Sequence, residues 1–194
     1  MKASSIKIFL TNGRQHTFNP QSAHELQKIE QEIKSKRLFQ KSVSLFATDQ
    51  YLVHIQTKAI EMIHCLDSES IQNTPLQNEE DIVEITKEDL IKQYMELPEE
   101  EKYSSRQKTP GEFMTTFLEI HTQGNREIFL RLHTQKRKSQ EGREFITHLF
   151  EQSAMEFRLQ SGGFGILKPS AITAQFTYPG PSADVLPVDT FLIK

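Results

Sequence analysis

The sequence predicts an α+β protein of two similar lobes, each a mostly antiparallel sheet packed on one helix. Three observations carry this expectation. A stretch of the chain recurs at an offset of 112 residues. Apolar runs alternate with turn residues at hairpin spacing. Helical periodicity follows the first hairpin of each copy.

The repeat aligns residues 42–65, SVSLFATDQYLVHIQTKAIEMIHC, with residues 154–177, AMEFRLQSGGFGILKPSAITAQFT, without a gap. Val43 meets Met155, Leu45 meets Phe157, and Ala59-Ile60 meets Ala171-Ile172. Identity is low, so the match rests on pattern and on what precedes each segment.

In the first copy, Ile6 to Leu10 and Gln15 to Phe18 flank Asn12-Gly13. Both turn residues tolerate positive φ, which marks a hairpin. Ser22 with Glu25 forms a capping-box pattern, and Leu26, Ile29 and Ile33 then recur at helical spacing. Glu30 with Lys34 and Glu32 with Lys36 are favourable i,i+4 pairs. In the closing hairpin, Val43, Leu45 and Ala47 are expected opposite Ile55, Val53 and Tyr51.

In the second copy, Thr115 to Thr122 and Arg126 to His133 flank Gln123-Gly124-Asn125. A three-residue loop pairs Ile120 with Ile128 and Leu118 with Leu130, whereas a two-residue loop sets Leu118 against Arg131. The buried face selects the three-residue loop. A helix is expected over 140–152. The closing hairpin, in the register of the first copy, places Gly162 at a loop position that favours a left-handed residue. Gly163 and Gly165 mark a close approach to the backbone, with the helix of the same lobe as the expected neighbour.

Three segments follow from this: a first lobe (1–66), an acidic and partly helical linker (67–109), and a second lobe (110–194) ending in a Pro-rich tail. In the linker, DSESIQNTPLQNEED reads as loop. Thr86 caps a helix through Met95 with Leu90, Ile91, Tyr94 and Met95 as its apolar stripe. Such a linker is expected to dock on the protein. The tail residues Phe191, Leu192 and Ile193 are apolar enough to dock on a sheet edge or on a neighbouring copy.

Charge is uneven. Residues 1–66 carry nine Lys/Arg and five Asp/Glu, residues 67–101 carry two and twelve, and residues 102–194 carry twelve and nine. The corresponding balances are +4, −10 and +3, which sum to the net charge of −3. The single cysteine, Cys65, allows no internal disulfide and reads as a small core residue. With no apolar leader and no apolar run of membrane-spanning length, the chain is expected to be soluble and cytoplasmic, without a membrane partner.

The sequence shows no catalytic motif, no cofactor fingerprint and no metal-ligand spacing. Seven His residues are present, none paired as H-x-x-x-H on an expected helix. Ser161-Gly162-Gly163-Phe164-Gly165 lies between two strands, not between a strand and a helix, so it reads as a hairpin rather than a phosphate loop. No catalytic, cofactor or metal residue is therefore assigned. Two basic runs are the candidates for nucleic-acid contact: Lys34, Lys36, Arg37 and Lys41, and Arg131, Lys136, Arg137, Lys138 and Arg143. The function expected first is a non-catalytic adaptor, regulatory or assembly role toward another protein or a second copy. It would act through a sheet edge, the acidic segment or the tail. A DNA- or RNA-binding protein comes second, and an enzyme without local motifs third.

Overall fold

A computed structural model describes residues 5–47, 52–66, 81–99, 102, 111–135 and 152–180. β1 (Ser5–Leu10) and β2 (Gln15–Phe18) form the expected first hairpin. Leu10 N donates to Arg14 O at 2.9 Å, so the loop is Thr11-Asn12-Gly13, with Gly13 left-handed at φ 81°. Helix α1 (Ala23–Lys34) begins at Ser22, whose Oγ accepts from Glu25 N, and a short α2 (Arg37–Gln40) follows. β3 (Val43–Ala47), β4 (Leu52–Gln56), a 3-10 turn (Thr57–Ala59) and β5 (Ile60–Leu66) complete the first half.

The acidic segment holds β6 (Asp81–Ile85) and α3 (Lys87–Glu96). α3 is capped as expected by Thr86, which accepts from Asp89 N. It docks through Leu90 and Tyr94 onto Ile85, Phe117 and Phe129, leaving Ile91 and Met95 exposed. The second half is β7 (Phe113–Thr122), β8 (Glu127–Gln135), β9 (Met155–Arg158), β10 (Gly163–Leu167), a 3-10 turn (Pro169–Ala171) and β11 (Ile172–Tyr178). The helix expected over 140–152 lies outside the described residues, save Gln152.

The repeat is written into backbone register. The 3-10 turn and the last strand of the first half start at 57 and 60, and those of the second half start 112 residues later, at 169 and 172. Pairs Ile6↔Phe18 and Ile8↔His16 of the first hairpin become Leu118↔Leu130 and Ile120↔Ile128 in the second, the register expected from the buried face. β1 pairs β5 with a bulge, Phe9↔Met62 then Leu10↔Ile60. β7 pairs β11 with the same bulge, His121↔Ala174 then Thr122↔Ile172.

Two separate lobes, each packed on its own helix, are nevertheless not what forms. The strands of both halves enter one mixed nine-stranded sheet, β11-β7-β8-β6-β9-β10-β5-β1-β2, and only β3–β4 stands apart as a two-stranded sheet. The cause is that β5, an edge strand in a self-contained lobe, is paired along its other side by β10 of the second half, from Gly163↔Leu66 to Leu167↔Met62. The neighbours of the two sheet glycines change accordingly. A Cβ on Gly163 would strike the Cys65 carbonyl on β5, and one on Gly165 would strike the Phe157 ring, not a helix.

Two cores follow the repeat. Leu118, Ile120, Leu130 and Leu167 sit in one, and their counterparts Ile6, Ile8, Phe18 and Ile55 sit in the other beneath α1. Cys65 is a core residue, as expected, and burial pushes its thiol pKa up. The closing hairpins differ by one residue. β9–β10 has the expected pairs Met155↔Leu167 and Phe157↔Gly165, with Gly162 left-handed at φ 96°. β3–β4 instead pairs Val43↔Gln56 and Leu45↔His54. A one-residue slip turns a strand over, so Ser44 and Phe46 face inward. Val43 and Leu45 are 37 % and 60 % exposed, whereas Met155 and Phe157 are buried.

The bulge leaves Glu61 over as the extra residue of β5, and its side chain is fully buried. Gly124 N and Thr122 Oγ1 donate to its carboxylate at 2.8 and 3.0 Å, and Arg126 Nε lies 3.0 Å away. Arg126 in turn donates to Gly13 O at 2.7 Å. One carboxylate thus ties the two hairpin tips together. Removing a partner of a buried ion pair typically costs about 3–5 kcal/mol. Glu61→Ala is therefore expected to lower unfolding free energy by about that amount, and Glu61→Gln by less, because Gln keeps an acceptor for Gly124 N–H. Urea unfolding of both variants checks this; an Ala variant as stable as the parent would show that the carboxylate is not needed.

Candidate strand-acceptor groove

In the second half, β6 fills the space between β8 and β9. It pairs antiparallel with residues 129–133 of β8, from Ile85↔Phe129 to Asp81↔His133, and parallel with β9 at Val83↔Arg158. Subtracting 112 moves these contacts to residues 17–21 and to Phe46. No strand among the described residues lies there. Instead a groove of about 860 Å³ opens, lined by Thr17, Phe18, Asn19, Pro20 and Gln21 on one side and Val43, Ser44, Leu45 and Phe46 on the other.

The groove keeps what a strand needs. Arg14 turns its carbonyl toward β1, so strand alternation turns the backbone groups of Gln15 and Thr17 to the open side. The floor is apolar: Phe18 and Phe46 stack at 4.5 Å between ring centroids, and Ile29 and Leu38 lie beside them. The rim carries Glu25, Lys28, Glu32 and Lys41. Glu32 accepts from Lys41 Nζ at 2.6 Å, and that hydrogen bond is the main reason its carboxyl pKa is lowered.

The first basic run thus borders the groove. Lys41 and Arg37 both pair with Glu32, Lys34 stands over the Phe164 ring at 5.2 Å, and Lys36 adopts a left-handed turn at φ 58°. Arg131 lies on β8 and donates to Gln93 Oε1 of α3 at 3.4 Å. Lys136, Arg137, Lys138 and Arg143 lie outside the described residues, as do Phe191, Leu192 and Ile193.

Two clusters of titratable groups stand elsewhere. Glu119, His121 and Glu127 bring ligand atoms within 4.8 Å of one another. His121 stands opposite Glu127 in the β7–β8 ladder, and β-strand alternation brings Glu119 to the same face. Lys87 Nζ pairs with Glu127 at 3.2 Å, and His121 Nε2 lies 3.0 Å from Glu119 Oε1. The second cluster is His64 on β5 with Glu84 on β6, 3.8 Å apart. Burial lowers the His64 pKa to about 4, with Lys7 and Arg126 adding to it, and burial raises Glu84 to about 7. His64 also packs edge-on to Phe9 and Phe157.

No protein-family model, no curated protein and no solved structure matches the chain.

The His64–Glu84 pair gives a sign-determined pH dependence. Glu84, raised in the fold, holds a proton that the unfolded chain has lost, so its contribution weakens stability as pH rises from about 4.5 to about 7. His64, lowered in the fold, does the opposite from about 4 to about 6.5. The two slopes oppose each other in the parent. Glu84→Gln leaves His64 alone, so unfolding free energy should then climb with pH across that window, by up to about 1.4 kcal/mol per pH unit. Urea midpoints at half-unit pH steps test it; an unchanged profile in the variant would overturn the assignment.

Proposed function

We propose that the protein is a non-catalytic protein-binding module that takes an extended segment of a partner as an added strand between β2 and β3. The observation that carries this reading is β6: the same chain fills the equivalent space of its second half with a strand, in defined register on both sides. Strand addition draws affinity from main-chain hydrogen bonds and specificity from alternate side chains. Here the main chain of Thr17 offers the bonds, and Phe18, Phe46 and Ile29 offer an apolar floor for every second partner residue. Val43 and Leu45, apolar and exposed at the groove lip, add contact area to an incoming strand.

A displayed library of random seven-residue peptides tests the proposal. Selection on the intact chain should enrich peptides with apolar residues at alternate positions. A selected peptide should protect the Thr17 amide from hydrogen exchange. Leu45→Asp should weaken it at least about tenfold, near 1.4 kcal/mol, while Met95→Asp on the exposed face of α3 leaves it unchanged. No enrichment, or binding indifferent to Leu45→Asp, would overturn the reading.

A further inference from the structure

The repeat also leaves a second space unmatched, on strands that take no part in the groove. β5 is paired on both sides, by β1 and by β10. Among the described residues, its counterpart β11 is paired only by β7, and the counterpart of β10, β4, only by β3. Burial follows the pairing. Ile60, Met62, Ile63 and Cys65 of β5 are buried, whereas no residue of β11 is, and Phe176 is 45 % exposed. Four of the five residues of β10 are buried, against Ile55 alone in β4, where Leu52 is 56 % exposed.

We infer that β4 of one copy of this chain pairs with β11 of a second copy, repeating between molecules the β10·β5 ladder that joins the two halves within one. Register and polarity are fixed by the template. Shifting Phe164↔Cys65, Gly165↔His64, Ile166↔Ile63 and Leu167↔Met62 by 112 gives an antiparallel ladder of Leu52↔Thr177, Val53↔Phe176, His54↔Gln175 and Ile55↔Ala174.

The backbone directions agree from two independent hydrogen bonds. Thr57 N donates to Ser42 O, so Val53 and Ile55 face β3 and Leu52, His54 and Gln56 face outward. Lys168 N donates to Glu61 O, so by the repeat Thr173, Gln175 and Thr177 of β11 face outward as well. The outward groups are therefore the ones this register sets against each other. Neither LVHIQ nor ITAQFTY carries a charge or a Pro, the usual guards of an exposed edge. Each copy has one edge of each kind, so a second copy is the complementary partner.

The experiment uses the full chain with its buried Cys65 in place. Val53→Cys and Phe176→Cys are prepared separately and mixed under mild oxidation. Val53 and Phe176 face each other at a non-hydrogen-bonded position, where Cα atoms lie about 4.5 Å apart, within disulfide reach. The expected product is a disulfide-linked pair of twice 22.5 kDa, and none should form when Thr17→Cys on β2 replaces Phe176→Cys. Light scattering of the parent should show a multiple of the chain mass that Gln175→Pro lowers, since Pro removes an outward N–H and spares the β7 ladder. Circular dichroism confirms that the Pro variant is folded, and Phe176→Lys serves as a second edge block. A monomeric parent at every concentration, or cross-linking equally good at Thr17, would overturn the inference. Either result leaves the β2–β3 groove untouched.

Discussion

A fully buried carboxylate with three contacts, all from the other half, decides how the two halves sit together. Glu61 occupies the bulge of β5, and the equivalent bulge in β11 holds Thr173. Thr173 satisfies itself locally, donating to His121 O across its own strand pair. Glu61 cannot: its contacts, Thr122, Gly124 and Arg126, all belong to the other half. Its backbone carbonyl accepts from Lys168 N, so the same residue also extends the β10·β5 ladder. A side chain at Gly124 would collide with the carboxylate, and the nearest atom to a Cβ on Gly13 is the Gly124 carbonyl. Two glycines at equivalent tips therefore close around one charge. Separating the halves would strand that charge, at a cost of several kcal/mol.

With the junction fixed, a tandem repeat in an open sheet must leave some positions unmatched. Every pairing between the copies has an image that the single chain does not use. Among the described residues, β10 on β5 leaves β4 and β11 without their counterparts, and β6 between β8 and β9 leaves the β2–β3 space without a strand. The slip of β3 belongs to the same asymmetry. β9 is held in register by β6 on one side and β10 on the other, whereas among the described residues β3 has β4 alone, and its turned-out Val43 and Leu45 are exposed at the groove lip. The halves thus agree where strands are buried and diverge at their edges.

The sequence made legible whatever depends on local pattern. The Ile120–Ile128 register followed from the face that had to be buried, Gly162 from the φ its loop demands, and the starts of α1 and α3 from Ser22 and Thr86. The repeat itself was visible despite low identity, because turn positions and apolar spacing recur together. β6 was not: DIVEI is five residues without clear alternation, set among Asp, Glu and Asn, and it is a strand because β8 and β9 flank it. The merging of two lobes into one sheet was equally hidden. The β10·β5 ladder joins residues about a hundred apart in sequence, and no local periodicity reports which strand will cover an edge. The groove needed both pieces of knowledge, since it is defined by two edges that lack the strand their counterparts possess.

The first basic run shows why residue lists are weaker guides than edges here. Lys34, Arg37 and Lys41 are spent on Phe164 and Glu32 within the fold, and near a helix end such cations are already explained by the macrodipole. An unpaired strand edge has no such internal use. Soluble proteins suppress edges with Lys, Pro or covering loops because an open ladder pairs with whatever extended chain it meets. β4 and β11 carry neither guard, and β2 presents only Gln15, His16, Thr17 and Phe18. Among the described residues, open ladders on three strands are a liability unless something fills them, and the repeat is the template from which we propose a strand beside β2 and a second copy along β11.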